Sequence, residues 1–221
     1  MCSNHTVVRC NEKDQETLLT FKQGINDSLG MISTWSTEKD CCSWEGVHCD
    51  NITGRVTEIH LKGQPYEDVH ESVKVLKGEM NLCILELEFL SYLDLSHNEF
   101  DVLRIPSIQL NFTLSSKLLY LDLSFNFLHM YNLDWLSPLY SLKYLNLSGI
   151  DLHKETDWLQ IVNSLPSLLE LPLIQCNLNN FMINPSIVYL NLSSLVTLDL
   201  SLNQLASNSE YTSFTIRITV A

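Results

Sequence analysis

One short phrase is written five times along this chain: LSYLDLSHN at 90–98, LLYLDLSFN at 118–126, LKYLNLSGI at 142–150, LLELPLIQC at 168–176 and LVTLDLSLN at 195–203. Between the equivalent leucines Leu93, Leu121, Leu145, Leu171 and Leu198 the spacings are 28, 24, 26 and 27 residues. A chain with this period does not fold around one central core. Each unit is a single coil that buries its aliphatic side chains only by stacking on its neighbours. Within the phrase, leucines alternate with polar residues, which is the period of a strand, so the coils should lay short parallel strands side by side in one curved sheet.

Units of this length and wording are leucine-rich repeats. The expected fold class is an α/β solenoid, a right-handed superhelix with short parallel strands on its concave face. Alternation predicts that Leu121 and its equivalents point into the core. Tyr92, Asp94 and Ser96, with their counterparts Tyr120, Asp122 and Ser124, Tyr144, Asn146 and Ser148, Glu170, and Asp199, should face outward. On that reading Leu121→Ala costs about 2 to 5 kcal/mol and Ser124→Ala next to nothing. After each strand comes a ladder position, Asn98, Asn126 and Asn203 in three units, whose side-chain amide can bond the backbone where the coil turns away. Cys176 is a workable substitute there. Ile150 cannot make the bond, and an irregular turn is predicted around it.

The other segments read differently. Residues 1–9 look like the remnant of a leader, since MCSNHTVVRC lacks the apolar stretch of a cleavable secretory signal. Residues 10–55 form an N-terminal cap. One amphipathic helix is predicted here, with Leu18, Phe21 and Ile25 on one stripe and Glu12, Asp14 and Glu16 near its start, where a helix dipole favours them. A Trp and Cys-rich knot follows from Trp35 to Asp50. Repeats occupy 56–205, the first strand carrying Val56, Ile59 and Leu61. An inserted polar loop near 63–76 stretches the interval from Ile59 to Leu93 to 34 residues, with the solenoid resuming at Leu82. The tail, 206–221, departs from the repeat; its alternating Phe214, Ile216, Ile218 and Val220 are strand-like and suited to covering the open end of the sheet.

A net charge of -13 excludes a phosphate-backbone partner, so nucleic acid is not expected. No apolar run approaches the roughly 20 residues that cross a bilayer, so no membrane span is expected in this chain. Four of seven cysteines, Cys10, Cys41, Cys42 and Cys49, crowd the cap. Disulfides suit that clustering better than a zinc site with His48, because structural zinc sites space their first two cysteines about two to four residues apart. Cys83 and Cys176 read as buried thiols, and Cys2 has no assigned role. Asn4, Asn26, Asn51, Asn111, Asn146 and Asn191 begin glycosylation sequons, which matter only in the secretory pathway. A glycan on Asn146 would block part of the concave face. Catalytic and nucleotide-binding motifs are absent from the sequence, and no enzyme and no cofactor is expected.

The cap, with Trp35, Cys41, Cys42, Trp44, Gly46, Val47 and Cys49, followed by repeats of the form L-x-x-L-D-L-S-x-N, resembles the extracellular region of plant leucine-rich-repeat receptor-like proteins and receptor kinases, most closely the immune type. The resemblance covers about positions 10–205. It implies a helical cap closed by two disulfides, Cys10 with Cys41 and Cys42 with Cys49. It also implies a non-enzymatic ligand-recognition module in defence signalling, outside the cell at the plasma membrane as part of a full-length receptor. Expected partners are a peptide, protein or cell-wall glycan ligand and a co-receptor kinase. Ligand-surface candidates are Tyr92, Asp94, His97, Tyr120, Asp122, Phe125, Tyr144, Glu170, Gln175 and Asp199; of these, His97, Phe125 and Gln175, with Leu202, vary most from unit to unit. Two other readings fit the same pattern: a secreted inhibitor resembling those of polygalacturonase, and a truncated receptor fragment acting as a decoy or having no function.

Overall fold

The computed structural model describes residues 8–64, 73–105, 117–178, 194–203 and 217–219. Helix α1, Glu12–Lys22, opens the cap. Asn11 starts it, its Oδ1 accepting the backbone N–H groups of Lys13 at 3.1 Å and Asp14 at 3.4 Å. Leu18 and Phe21 are buried, as the stripe predicted. Ile25 is not on the helix. It lies in a two-residue strand, β1 (Ile25–Asn26), because the backbone leaves the helix near Gln23 and Gly24.

Asp14 does more than favour the helix dipole. It is 1% exposed, and its Oδ2 accepts the N–H of Val56 at 2.9 Å and an ion pair from Arg55 Nε at 3.1 Å. The cap is thereby tied to the first repeat by a bond spanning 42 residues. Behind the helix, Trp35 stacks on Trp44 with centroids 5.3 Å apart and donates Nε1–H to the Glu45 carbonyl at 2.9 Å. The four cap sulfurs lie within 4.8 Å of one another, yet they form two disulfides, Cys10–Cys41 and Cys42–Cys49, and the His48 ring turns instead toward His60.

Strand β2 (Val47–Cys49) runs antiparallel to β3 (Val56–His60) and begins the main sheet. Gly46 sits just before it at φ 77°, where a Cβ would lie 2.5 Å from the His60 carbonyl oxygen, so only glycine fits this position of the cap. Next in chain order come β4 (Lys77–Asn81), β5 (Tyr92–Asp94), β6 (Glu99–Arg104), β7 (Tyr120–Asp122), β8 (Tyr144–Asn146), α2 (Trp158–Asn163), β9 (Glu170–Pro172), β10 (Thr197–Asp199) and β11 (Arg217–Thr219). The main sheet has the order β2-β3-β5-β7-β8-β9-β10-β11, parallel from β3 to β10 and closed at each end by an antiparallel strand. Register stacks like on like: Ile59, Leu93, Leu121 and Leu145 are successive partners, and all are buried. The strand-like reading of the tail corresponds to β11, whose Ile218 pairs with Leu198; residues 206–216 lie outside the described residues.

Sequence reading missed a second sheet, β1-β4-β6, in which β4 pairs antiparallel with β1 and parallel with β6. The inserted loop is accordingly shorter than expected. It closes where Gln64 N–H meets the Lys74 carbonyl at 3.0 Å, and Val75 and Leu76 are already buried, so the solenoid resumes before Leu82. Residues 65–72 of this loop lie outside the described residues.

The asparagine ladder works as the residue type demands. Asn126 Nδ2 donates to the carbonyls of Leu95 at 3.0 Å, in the preceding coil, and Leu123 at 2.8 Å, while its Oδ1 accepts Phe100 N–H at 3.3 Å. Asn98 and Asn203 repeat the pattern, and the Cys176 thiol reaches the Leu147 carbonyl at 3.2 Å. Around Ile150 the predicted irregularity does not occur. Gly149 takes φ 75° and donates its N–H to Ile174 at 2.8 Å, as His97 does to Ser124 at 2.9 Å. Ile150 itself packs fully buried, so apolar burial replaces the missing amide.

Candidate ligand-binding face

Five rings line the concave face in one unbroken row. His48 meets His60 edge-on at 4.9 Å, His60 stacks on Tyr92 at 4.4 Å, Tyr92 on Tyr120 at 4.2 Å and Tyr120 on Tyr144 at 4.3 Å. The last two pairs are inclined by only 9° and 1°, because strand register places each tyrosine directly beside the next. The tyrosines were legible as a column in the sequence. His48 and His60 were not, since their segment lacks the repeat wording; the signal available was that Glu58 and His60 flank the inward Ile59 as Tyr92 and Asp94 flank Leu93.

Stacking covers both faces of Tyr92 and Tyr120 and one face of Tyr144, and the Tyr120 hydroxyl donates to Asp122 Oδ2 at 3.5 Å. Burial pushes the Tyr120 phenol well above its ordinary value, and the Asp122 carboxylate acts in the same direction. Tyr92 and Tyr144 are raised as well, with burial the leading cause in each. Raised folded values mean that these phenols contribute stability below the ordinary value near 10, lost as the pH climbs through their folded values. In an alkaline titration followed by phenolate absorbance, three of the eight tyrosines should ionise later than in the unfolded chain. A folded chain in which all eight titrate together near the ordinary value would contradict the stacked row.

The aspartates and serines of the phrase do not stand free. Asp94 and Asp122 are 8% and 7% exposed, Ser96 and Ser124 1% and 2%. Each aspartate folds back to accept the N–H two residues on: Asp94 Oδ1 from Ser96 at 2.9 Å, Asp122 Oδ1 from Ser124 at 2.9 Å, and Asp199 Oδ1 from Ser201 at 3.0 Å. Ser96 Oγ donates to the same Asp94 oxygen at 2.7 Å. The expectation that these columns form an open polar surface is therefore corrected: alternation points them to the concave side, but turn hydrogen bonding covers them. Asn146 has the same engagement, Oδ1 accepting Ser148 N–H at 3.0 Å and Nδ2 donating to Asp122 at 3.1 Å. Among the other sequons, Asn26 and Asn51 are exposed, while Asn4, Asn111 and Asn191 lie outside the described residues, as does Cys2.

Just beyond the strands, His97, Phe125, Gln175 and Leu202 all adopt positive φ, between 54° and 59°, a conformation that disfavours residues with a Cβ. His97 stacks on Phe125 at 4.8 Å, and Phe125 and Leu202 are 45% and 58% exposed. Burial, followed by the nearby Lys62 ammonium, holds the His97 imidazole below its ordinary value. Glu170 and Gln175 are exposed at the far end of the face. The structure thus brings Tyr92, Tyr120 and Tyr144 into one row and His97, Phe125 and Gln175 along its border. Asp94, Asp122 and Asp199 form a covered layer beside them.

Residues 2–50 match the family model described as "Leucine rich repeat N-terminal domain". Across 91% of its length the chain is 37% identical to Receptor-like protein EIX1 and 35% identical to Receptor-like protein EIX2, both of Solanum lycopersicum. This chain belongs to the plant leucine-rich-repeat receptor-like proteins. It spans 22% of the length of each of those two relatives. Among solved structures, the Arabidopsis receptor kinase HAESA, crystallised with the peptide hormone IDA and the co-receptor SERK1, superposes with a TM-score of 0.69 at 25% identity, covering 89% of this chain and 30% of that one. A plant ice-binding protein shares the fold, with a TM-score of 0.64 at 24% identity. The receptor-like protein described here therefore has a leucine-rich-repeat solenoid fold. No helix among its described residues is long and apolar enough to cross a membrane.

Proposed function

We propose that this chain is the N-terminal, ligand-recognising part of an extracellular receptor-like protein at the plant plasma membrane, acting without catalysis in defence signalling. Its right-handed superhelix presents the concave row to a ligand, and a co-receptor kinase then joins the complex. The single observation that carries this reading is the unbroken row His60-Tyr92-Tyr120-Tyr144, bordered by His97 and Phe125 in left-handed turns. Strained backbone that is kept at successive coils points to side chains serving a surface rather than the core.

Ring geometry supports a ligand class. A sugar packs on an open aromatic face, and here neighbouring rings cover both faces of Tyr92 and Tyr120. What is offered is a line of hydroxyls and ring edges, able to donate to and accept from the polar backbone of an extended peptide. Exposed Glu170 and half-exposed Glu58 favour basic side chains in that peptide. A peptide ligand and a co-receptor are also what the HAESA complex contains. Glycans are assigned to exposed Asn26 and Asn51, and Asn146 is expected to stay unmodified because Asp122 holds its Nδ2.

Titration of the folded chain with panels of microbial peptides and cell-wall oligosaccharides tests the assignment. A basic peptide should bind, and Tyr120→Ala should weaken it by at least about tenfold, the loss expected of a central aromatic anchor. Binding of oligosaccharides alone, or peptide binding indifferent to Tyr120→Ala, would overturn it.

A further inference from the structure

Strand register writes a second pattern onto the concave row. Glu58 on β3 partners Tyr92, Tyr92 partners Tyr120, Tyr120 partners Tyr144, and Tyr144 partners Glu170 on β9. One column of the sheet therefore reads Glu-Tyr-Tyr-Tyr-Glu, with a carboxylate closing each end of the aromatic run. Burial leads the rise of both terminal phenols, and each end carboxylate adds to it, Glu58 at Tyr92 and Glu170 at Tyr144.

These two end carboxylates can take a partner in a way that the aspartates between them cannot. Glu170 is exposed, and the Glu58 side chain is 46% exposed. An ionised carboxylate only accepts, so His60 Nε2–H donates to Glu58 Oε2, at 2.9 Å, and Oε1 keeps no hydrogen-bond partner among the described residues. In the adjoining column Asp94 and Asp122 are 8% and 7% exposed and already accept the N–H groups of Ser96 and Ser124. A cationic side chain laid on this face therefore finds its acceptors at the two ends of the tyrosine run, not along it.

The separation of those ends fixes a spacing. Four strand intervals part Glu58 from Glu170, about 17 to 19 Å at roughly 4.3 to 4.8 Å each, the lower figure being that of the ring centroids, 4.2 and 4.3 Å apart along the row. A peptide lying along the row in β conformation covers that distance in about five to six residues at about 3.3 Å each, and only every second side chain faces the sheet. In the polyproline conformation the rise is about 3.1 Å and every third side chain faces it. Six residues meet both periods; five turn the second side chain away.

Building on the peptide reading above, we propose that this face selects an extended peptide with two basic residues six positions apart, Glu58 and Glu170 each taking one. The side chains between them lie across Tyr92, Tyr120 and Tyr144. Arginine suits both ends, because its guanidinium can bond a carboxylate through two parallel N–H groups.

Synthetic peptides of one length and composition, with two arginines placed two, four, five, six or eight positions apart, test this when titrated into the isotopically labelled whole chain and followed by chemical shift. The six-residue spacing should bind about two- to fivefold more tightly than four or eight, the gain of one further exposed ion pair. Five should do no better than four. Glu58→Gln and Glu170→Gln, neither in the core, should each level the series while the tyrosine resonances still move. Glu170→Lys should shift the preference to a peptide with glutamate in place of one arginine at the same spacing. Peptides that bind, weaken in Tyr120→Ala and show no preferred spacing would overturn the spacing and leave the peptide reading standing, as would an optimum that survives both glutamine variants. Binding by none of the peptides, or binding indifferent to Tyr120→Ala, would overturn both.

Discussion

Replacing Leu121 with alanine should lower the free energy of unfolding by about 2 to 5 kcal/mol. Leu121 is 1% exposed, and it sits at the middle of β7, where register sets it between Leu93 and Leu145. In a solenoid each coil contacts only its neighbours, so no distant part of the chain can move in to fill the space left behind. The cavity term therefore adds to the lost transfer energy of the deleted methyl groups. Ser124→Ala provides the contrast. With 2% of its surface exposed, Ser124 belongs to the covered layer under the concave row, but the N–H that Asp122 accepts is kept by alanine, so the change should cost no more than about 1 kcal/mol. Urea unfolding monitored by circular dichroism measures both changes. Equal losses from the two variants would mean that the burial pattern of the strand is wrong.

The difference between Leu121 and Ser124 shows where sequence pattern is a sufficient guide. Period-two alternation placed every strand leucine correctly, because only burial on neighbouring coils can accommodate those side chains. The same alternation misread Asp94, Asp122 and their serines. It reports which side of the sheet a residue faces, not whether a local turn bond folds it back against the backbone. Ile150 failed in the opposite direction: its missing amide was visible, but the compensating Gly149, which reaches a left-handed turn without penalty, was not weighed with it. The sheet β1-β4-β6 escaped notice because its strands pair between cap and repeats, across 25 to 104, and carry no repeated phrase. For the site, the tyrosine column was legible from register alone. The mutual covering of the rings, on which the proposed preference for peptide over sugar rests, depends on ring inclinations that no sequence pattern encodes.

Removing the Cys10–Cys41 disulfide by paired serine substitutions should destabilise the cap by about 3 to 4 kcal/mol in the chain-entropy model, the larger of two such effects. The bond closes a separation of 31 residues, whereas Cys42–Cys49 closes 7, for which the same model gives about 2.5 kcal/mol. Several of the contacts that fasten α1 to the repeats start at or just after Cys10, beside the helix's own packing on residues 82–86. Cys10 N–H donates to both Asp40 oxygens, at 3.2 Å and 3.1 Å; the N–H of the next residue, Asn11, reaches Gly54 at 2.9 Å; and Asp14 caps the start of β3 through Val56. Loss of the longer bridge should therefore release the helix along with its docking contacts, while loss of the shorter one should loosen only the turn around β2. Hydrogen exchange separates the two outcomes: amides of α1 should lose protection in the Cys10→Ser, Cys41→Ser variant and keep most of it in the Cys42→Ser, Cys49→Ser variant. If α1 opened equally in both, the cap would be held by its Trp35-Trp44 packing and not by loop closure.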